Sequence, residues 1–262
     1  MVNAVINYVK RPEPGEQLYA TTVESPCEQI ATNIVLDPHE VEITDGRNYN
    51  FSLDKEGFQL LKHESRAVMY RGDKPLDLQH YFYECSNFVR RVTGANRAFV
   101  FNHVLRHNHS ANNYGSILRA HVDQSDKSGP ERVRDHFPRD AEKLLQKRVQ
   151  MVTLWRPLIG PLFDDPLALL DASSMDEQLD LMPSNLILKH RVGENYAVAY
   201  NPNHKWYYFS AMQPNEVLLF KGYDSRKDVA RFVPHSAFTL PNMSEGVVPR
   251  QSIEIRMLLF SK

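Results

Sequence analysis

Apolar and polar positions follow two different rhythms along this chain, and the change falls near residue 97. In the first fifty residues, β-prone stretches at 5–9, 18–23 and 34–43 alternate with turn segments such as Arg11-Pro12-Glu13-Pro14-Gly15 and Asp37-Pro38. Proline and glycine punctuate such a pattern because one fixes the backbone and the other frees it. Residues 54–67 put Phe58, Leu61 and Leu60 near one side and predict a short helix. Residues 77–93 predict a longer one. Leu78, Tyr81, Phe82, Cys85 and Val89 recur at helical spacing, with Asp77 to open the helix and Gly94 to close it. That stripe reads as core.

From residue 98 the period shortens to two. AFVFNHVLRH, GSILRAHVD, RVQMVTLWRPL, YAVAY, KWYYFSAM, NEVLLF and IEIRMLLF all read as strands. Helices are predicted only at 138–147 and near 175–181. Seven or eight β segments with turns between them suit a sandwich or jelly roll. The expected organisation is one domain over 1–262, with 1–97 as an N-terminal α/β extension packed on a β core at 98–262.

Composition narrows the function. Lys and Arg number 31 against 32 Asp and Glu, so no basic excess points to nucleic acid. No run of about 18 apolar residues predicts a membrane span, and the first residues carry no secretory apolar region. Two cysteines, Cys27 and Cys85, are too few for a disulfide scaffold and fit a reducing, cytoplasmic setting. None of the 11 glycines forms G-x-G, which counts against nicotinamide, ATP and α/β-hydrolase chemistry. The 11 histidines are about twice the usual share and raise the question of a metal.

The sharpest local feature is His121-Val122-Asp123. In a strand, residues i and i+2 share a face, so imidazole and carboxylate converge. Two His and one carboxylate on one face leave coordination positions open, as non-haem Fe(II) oxygenases require. Alone the pair is weak: with 11 His and 16 Asp, roughly 0.7 H-x-D pairs arise by chance. A later part of the chain strengthens it. His235 follows a strong strand, and fifteen residues on, Arg250-Gln251-Ser252 opens the final strand. Arg250 and Ser252 again share a face, where a guanidinium and a hydroxyl can grip a carboxylate.

The order H-x-D, late His, then R-x-S resembles the 2-oxoglutarate-dependent and isopenicillin-N-synthase-like oxygenases. A narrower resemblance rests on RVQMVTLWRPLIGPLFDDPLALLDASS, HVDQS, NEVLLFKGYDS, VPHSAF and PRQSIEIRMLLF. These segments, spread over about residues 81–260, are similar to those of the CmcJ-like and gibberellin-desaturase-like family of secondary metabolism. The resemblance implies a double-stranded β-helix core and a dioxygenase using Fe(II), 2-oxoglutarate and O2. His121, Asp123 and His235 would hold the metal and Arg250 and Ser252 the 2-oxoglutarate. Members of this family desaturate, form endoperoxides or close aziridines, so the outcome on a small natural-product or amino-acid-like substrate stays open.

Several other residues compete for roles. Arg156, in an apolar strand, is either a second anchor for 2-oxoglutarate or a substrate carboxylate, or a structural partner of Asp165, Asp171 or Glu216. Trp155, Arg106 and Tyr114 are candidate substrate contacts. His103, His107 and His109 form a second cluster without a neighbouring carboxylate, and His204 is a rival third ligand. Two other functions remain on the residues alone: a metal-dependent isomerase or lyase needing neither O2 nor 2-oxoglutarate, and a non-catalytic β-sandwich binding module. A zinc hydrolase lacks an evident carboxylate base. Oligomeric state stays open, a homodimer included.

Overall fold

The computed structural model describes residues 1–21, 31–69, 76–108, 114–241, 243 and 246–261. The first half carries β1 (Val2–Val9), β2 (Leu18–Thr21), β3 (Leu36–Asp45), β4 (Phe58–Lys62), α1 (Arg66–Met69), α2 (Leu78–Thr93), β5 (Arg97–His107) and β6 (His121–Val122). Then come α3 (Ser128–His136), α4 (Ala141–Leu145), β7 (Val149–Pro157), β8 (Leu167–Leu170), α5 (Glu177–Asp180), β9 (Leu181–Leu188) and β10 (Arg191–Val198). The chain continues through β11 (Trp206–Tyr208), β12 (Glu216–Asp224), β13 (His235–Ala237) and β14 (Gln251–Phe260). No helix among the described residues is long and apolar enough to cross a membrane.

These strands build two sheets, ordered β1-β3-β11-β8-β13-β6-β10-β9-β2 and β4-β12-β7-β14-β5. Neighbours pair antiparallel except at β11–β3 and β2–β9. This is the jelly-roll arrangement, mainly β with flanking helices. β7 and β12 are buried at every position, as strands covered on both faces must be. The inner face of β7 and β14, with Val149, Met151, Leu258 and Phe260, joins a core shared with the larger sheet. On the outer face Val152, Leu154, Ile253, Ile255 and Met257 pack against Tyr81, Cys85 and Val89 of α2. That helix forms as its spacing predicts. Asp77 caps it by accepting from His80 N, and Gly94 ends it at φ 70°, a left-handed conformation that glycine adopts without cost.

Four sequence expectations change. Residues 54–67 hold a strand rather than a helix, because Phe58 to Lys62 find a complete ladder against β12; partners decide so short an apolar run. GSILRAHVD is a strand only at His121–Val122. Helix α3 was hidden by Gly129-Pro130, yet Pro130 falls in its first turn, where no intrahelical N–H is needed. Strand β9 was masked by Pro183, which lies just outside the β2 ladder beginning at Ser184. Residues 1–97 contribute strands to both sheets. β1, β2 and β3 belong to the larger sheet and β4 to the smaller one, and Ile6, Tyr8 and Ile43 share a core with Val122 and Trp206.

Arg156 points to the outer face, opposite to Trp155, and is fully buried beneath α2. Its guanidinium donates to Tyr81 Oη (2.8 Å), to the His63 carbonyl (3.0 Å), to the Pro214 carbonyl and to His63 Nδ1. It therefore has neither of its expected roles: it faces away from the inter-sheet space, and its hydrogen-bond partners include none of Asp165, Asp171 or Glu216. Burial and then the Arg156 charge push His63 down to about 4. The unfolded chain therefore binds a proton between about pH 6.5 and pH 4 that the folded chain refuses, so stability falls as pH drops through that window. We expect the native chain to lose about 1 kcal/mol more than His63→Gln between pH 7 and pH 5, the linkage value reduced for solvent screening. Urea unfolding at both pH values measures it, and equal losses would refute the assignment.

Candidate metal centre

His121 opens β6 and His235 opens β13, and the register makes them direct cross-strand partners. Their ring centroids lie 4.4 Å apart. Asp123, two residues after His121, turns to the same side. The ligand atoms these three residues offer all lie within 4.8 Å of one another, and both histidines are buried.

Backbone contacts set the imidazoles. His121 Nδ1 lies 2.8 Å from the Arg119 carbonyl and His235 Nδ1 lies 3.2 Å from the Val233 carbonyl. A carbonyl only accepts, so each Nδ1 carries a proton and each Nε2 is the nitrogen left to face the metal position. Burial, with His235 alongside, holds His121 well below its ordinary value. Asp123 goes the other way. Burial opposes its ionisation, but Arg256 and the two histidines hold its carboxyl well below the usual range. A His121 held neutral and an Asp123 held ionised are the protonation states a cation requires of them. The nitrogen and oxygen donors on one side fit an open Fe(II) site.

Sequence reasoning missed Arg256. Its Nε and Nη2 donate to the two oxygens of Asp123 at 3.1 and 2.9 Å, and Nη2 also reaches Glu254 Oε2 at 2.9 Å. Glu254 in turn accepts from Arg106 Nε at 2.7 Å. The signal was present in the final strand. Arg250, Ser252, Glu254 and Arg256 recur at every second position among apolar residues, which places all four on one buried face.

A cavity between the sheets is lined by His121, His235, Arg106, Arg250 and Glu254, with Ile117, Leu167 and Ala237. Arg250 is 1% exposed. Its backbone N–H donates to Asp164 Oδ2 (2.7 Å) and its Nη1 to the Asp165 carbonyl (2.6 Å). Its Nε has no partner, nor has the buried hydroxyl of Ser252. Burial, with Arg106 nearby, pushes the Arg250 guanidinium down to about 10, so it stays a cation at neutral pH. A buried cation and hydroxyl with unmet hydrogen bonds suit an anionic group. The chemistry of 2-oxoglutarate, a keto acid with a distal carboxylate, matches a metal position and an anion position in one cavity.

The remaining candidates divide. Arg106 reaches the cavity, but its charge is committed to Glu254, and Nη1 donates to the Gly115 carbonyl at 2.9 Å. Tyr114 bridges Arg106 through the backbone and is 42% exposed, beside the site rather than in it. Trp155, expected to touch substrate, is 0% exposed on the inner face of β7, opposite Glu254 and with its ring 5.6 Å from Arg250 Cζ. His204 is far from being a third ligand, since Nε2 meets Asp180 at 3.0 Å and Nδ1 faces Tyr8 Oη at 3.2 Å. His103 packs against Phe82 of α2, and His107 pairs with Gln251 at the end of its ladder. His109 and Cys27 lie outside the described residues; Cys85 is buried and free.

Comparison with known proteins agrees with this geometry. A family model described as an oxidoreductase/YMDC permease-like domain matches residues 6–260. The chain is 29% identical to the Fe(II)/2-oxoglutarate-dependent dioxygenase nvfI of Aspergillus novofumigatus, over 95% of this chain and 94% of that protein. It is 32% identical to the hydroxylase/desaturase CTB9 of Cercospora beticola, over 82% of this chain and 74% of its relative. Among solved structures, the iron and alpha-ketoglutarate-dependent endoperoxidase NvfI superposes with a TM-score of 0.85. That match has 27% identity and covers 99% of this chain and 97% of the other.

Because Arg256 orients the Asp123 carboxylate, Arg256→Leu is expected to weaken Mn(II) binding by about 10–100-fold. Asp123→Ala should weaken it further. Calorimetric titration of the apoprotein with Mn(II) reads both, and wild-type affinity in either variant would show that the metal sits elsewhere.

Proposed function

Because the chain belongs to the oxidoreductase family matched over residues 6–260, and with its relatives to the Fe(II)/2-oxoglutarate-dependent dioxygenases, we propose how its residues divide that work. His121, Asp123 and His235 hold Fe(II), and Arg250 with Ser252 holds the distal carboxylate of 2-oxoglutarate. The observation that carries the reading is the pairing of two unlike sites in one cavity. His121 and His235, clustered with Asp123, line it together with Arg250, whose Nε and the hydroxyl of its neighbour Ser252 are buried with unmet bonds.

Bound there, iron with 2-oxoglutarate and O2 supplies an oxidant able to take hydrogen from an unactivated C–H. The chain supplies positioning. The Arg119 and Val233 carbonyls keep both Nδ1 atoms protonated and both Nε2 atoms directed at the metal position. Arg256 keeps Asp123 ionised and fixed in direction. Leu167 and Ala237 wall the cavity between these groups and limit water. The substrate in this reading is a small natural-product intermediate, and its own geometry decides between hydroxylation, desaturation and ring closure. The proposed setting is the cytoplasm, in keeping with a chain of two cysteines, one of them buried and free.

The test needs no substrate, since such enzymes turn over 2-oxoglutarate slowly without one. With Fe(II) and O2, the protein is expected to convert 2-oxoglutarate to succinate, followed by NMR. Arg250→Leu should raise the KM for 2-oxoglutarate roughly 100-fold, the loss of a charge-assisted, bidentate contact. Mn(II) affinity should be unchanged. Turnover of a substrate under anaerobic conditions without 2-oxoglutarate would replace the oxygenase reading with a metal-dependent isomerase or lyase.

A further inference from the structure

Five buried side-chain nitrogen or oxygen atoms among the described residues lack a hydrogen-bond partner, and three of them, Arg250 Nε, Ser252 Oγ and Trp155 Nε1, belong to neighbouring residues of two adjacent strands. The register explains this. Ser252 pairs with Pro157 and Glu254 with Trp155, so Trp155 and Ser252 are diagonal neighbours on the inner face of two adjacent strands. Arg250 Cζ lies 5.6 Å from the indole ring centroid.

A buried indole N–H ordinarily finds an acceptor. Trp206, the other tryptophan of the chain, does so, donating to Tyr8 Oη at 2.6 Å. Trp155 has none among the described residues. The ring packs with Phe58, Leu162, Leu169, Leu218 and Phe220, and the Glu254 carboxylate opposite it accepts from Arg106 and Arg256 instead. An acceptor brought by a ligand would complete the indole, and the group that suits Arg250 and Ser252 brings one. A carboxylate has two oxygens and about four lone-pair directions, enough for three donors at once.

We propose that the indole N–H of Trp155 is a third donor to the distal carboxylate of 2-oxoglutarate, acting beside Arg250 and Ser252. The proposal rests on the cosubstrate position assigned above. It converts Trp155 from an expected substrate contact into a binding residue for the cosubstrate. It also gives a reason for tryptophan here: phenylalanine would fill the apolar cluster equally well but would leave the carboxylate one donor short.

Two tryptophans make the experiment direct. In 15N-labelled protein loaded with Zn(II), which neither turns over nor broadens signals, the two indole N–H cross-peaks are assigned with Trp155→Phe. On adding 2-oxoglutarate, the Trp155 proton is expected to shift downfield while that of Trp206 stays in place. By calorimetry, Trp155→Phe should bind 2-oxoglutarate roughly tenfold more weakly, the loss of one hydrogen bond to a charged group. The wild-type spectrum stands even if the variant misfolds. Calorimetric binding with an unmoved Trp155 signal, or undiminished affinity in a folded Trp155→Phe, overturns the proposal and leaves the cosubstrate reading intact. Absence of binding to the metal-loaded wild type removes both.

Discussion

Charge that is buried must be answered, and the inner face of β14 is where this protein meets that constraint. Ser252, Glu254 and Arg256, with Arg250 just before the strand, stand in one row, and apart from Gln251 the other residues of β14 are apolar. Isolated, such charges would cost several kcal/mol each. Most are answered within the chain, through a ladder from Arg106 to Glu254 to Arg256 to Asp123. The ladder ends on a carboxylate that also faces the two histidines. The orientation of Asp123 is thus tied to the far wall of the cavity, and the metal position inherits its geometry from ionic pairing as well as from strand register.

Two arginines on neighbouring strands show how differently the same side chain can be used. Arg156 faces outward and finds carbonyls, a phenol and an imidazole nitrogen, so a cation is buried without any carboxylate in its hydrogen-bonded shell. Arg250 faces inward and is left with an unmet Nε. The first stabilises the seat of α2 on the smaller sheet. The second keeps one buried donor unpaired on the cavity side. Burial alone does not separate them, since both are almost wholly enclosed; the completeness of their hydrogen bonding does.

Much of this was legible in the sequence because a strand has a period of two. His121 and Asp123, and Arg250 and Ser252, obey it, and one cavity is lined by a member of each pair, His121 and Arg250. The same rule would have prevented one error. Trp155 and Arg156 are consecutive, so they could not both face the site, and Arg156 is the one that turns away. Arg256 went unnoticed because its partner Asp123 is distant in sequence, although its alternation with Arg250, Ser252 and Glu254 was visible. Boundaries were less legible. Phe58 to Lys62 becomes a strand only because β12 lies beside it, and the brevity of β6 depends on its neighbours β10 and β13. Such facts belong to the assembled sheets and not to any local window.

The place of β14 in the smaller sheet has a consequence for the order in which the protein can become whole. β5 and β7 are both made earlier, yet they do not touch; β14 lies between them and pairs with each along its length. Until that strand enters, the sheet is two separate pieces and the anchor for Asp123 is missing. Closure of the smaller sheet and the pinning of Asp123 by Arg256 thus depend on one and the same strand, so neither is complete without the other.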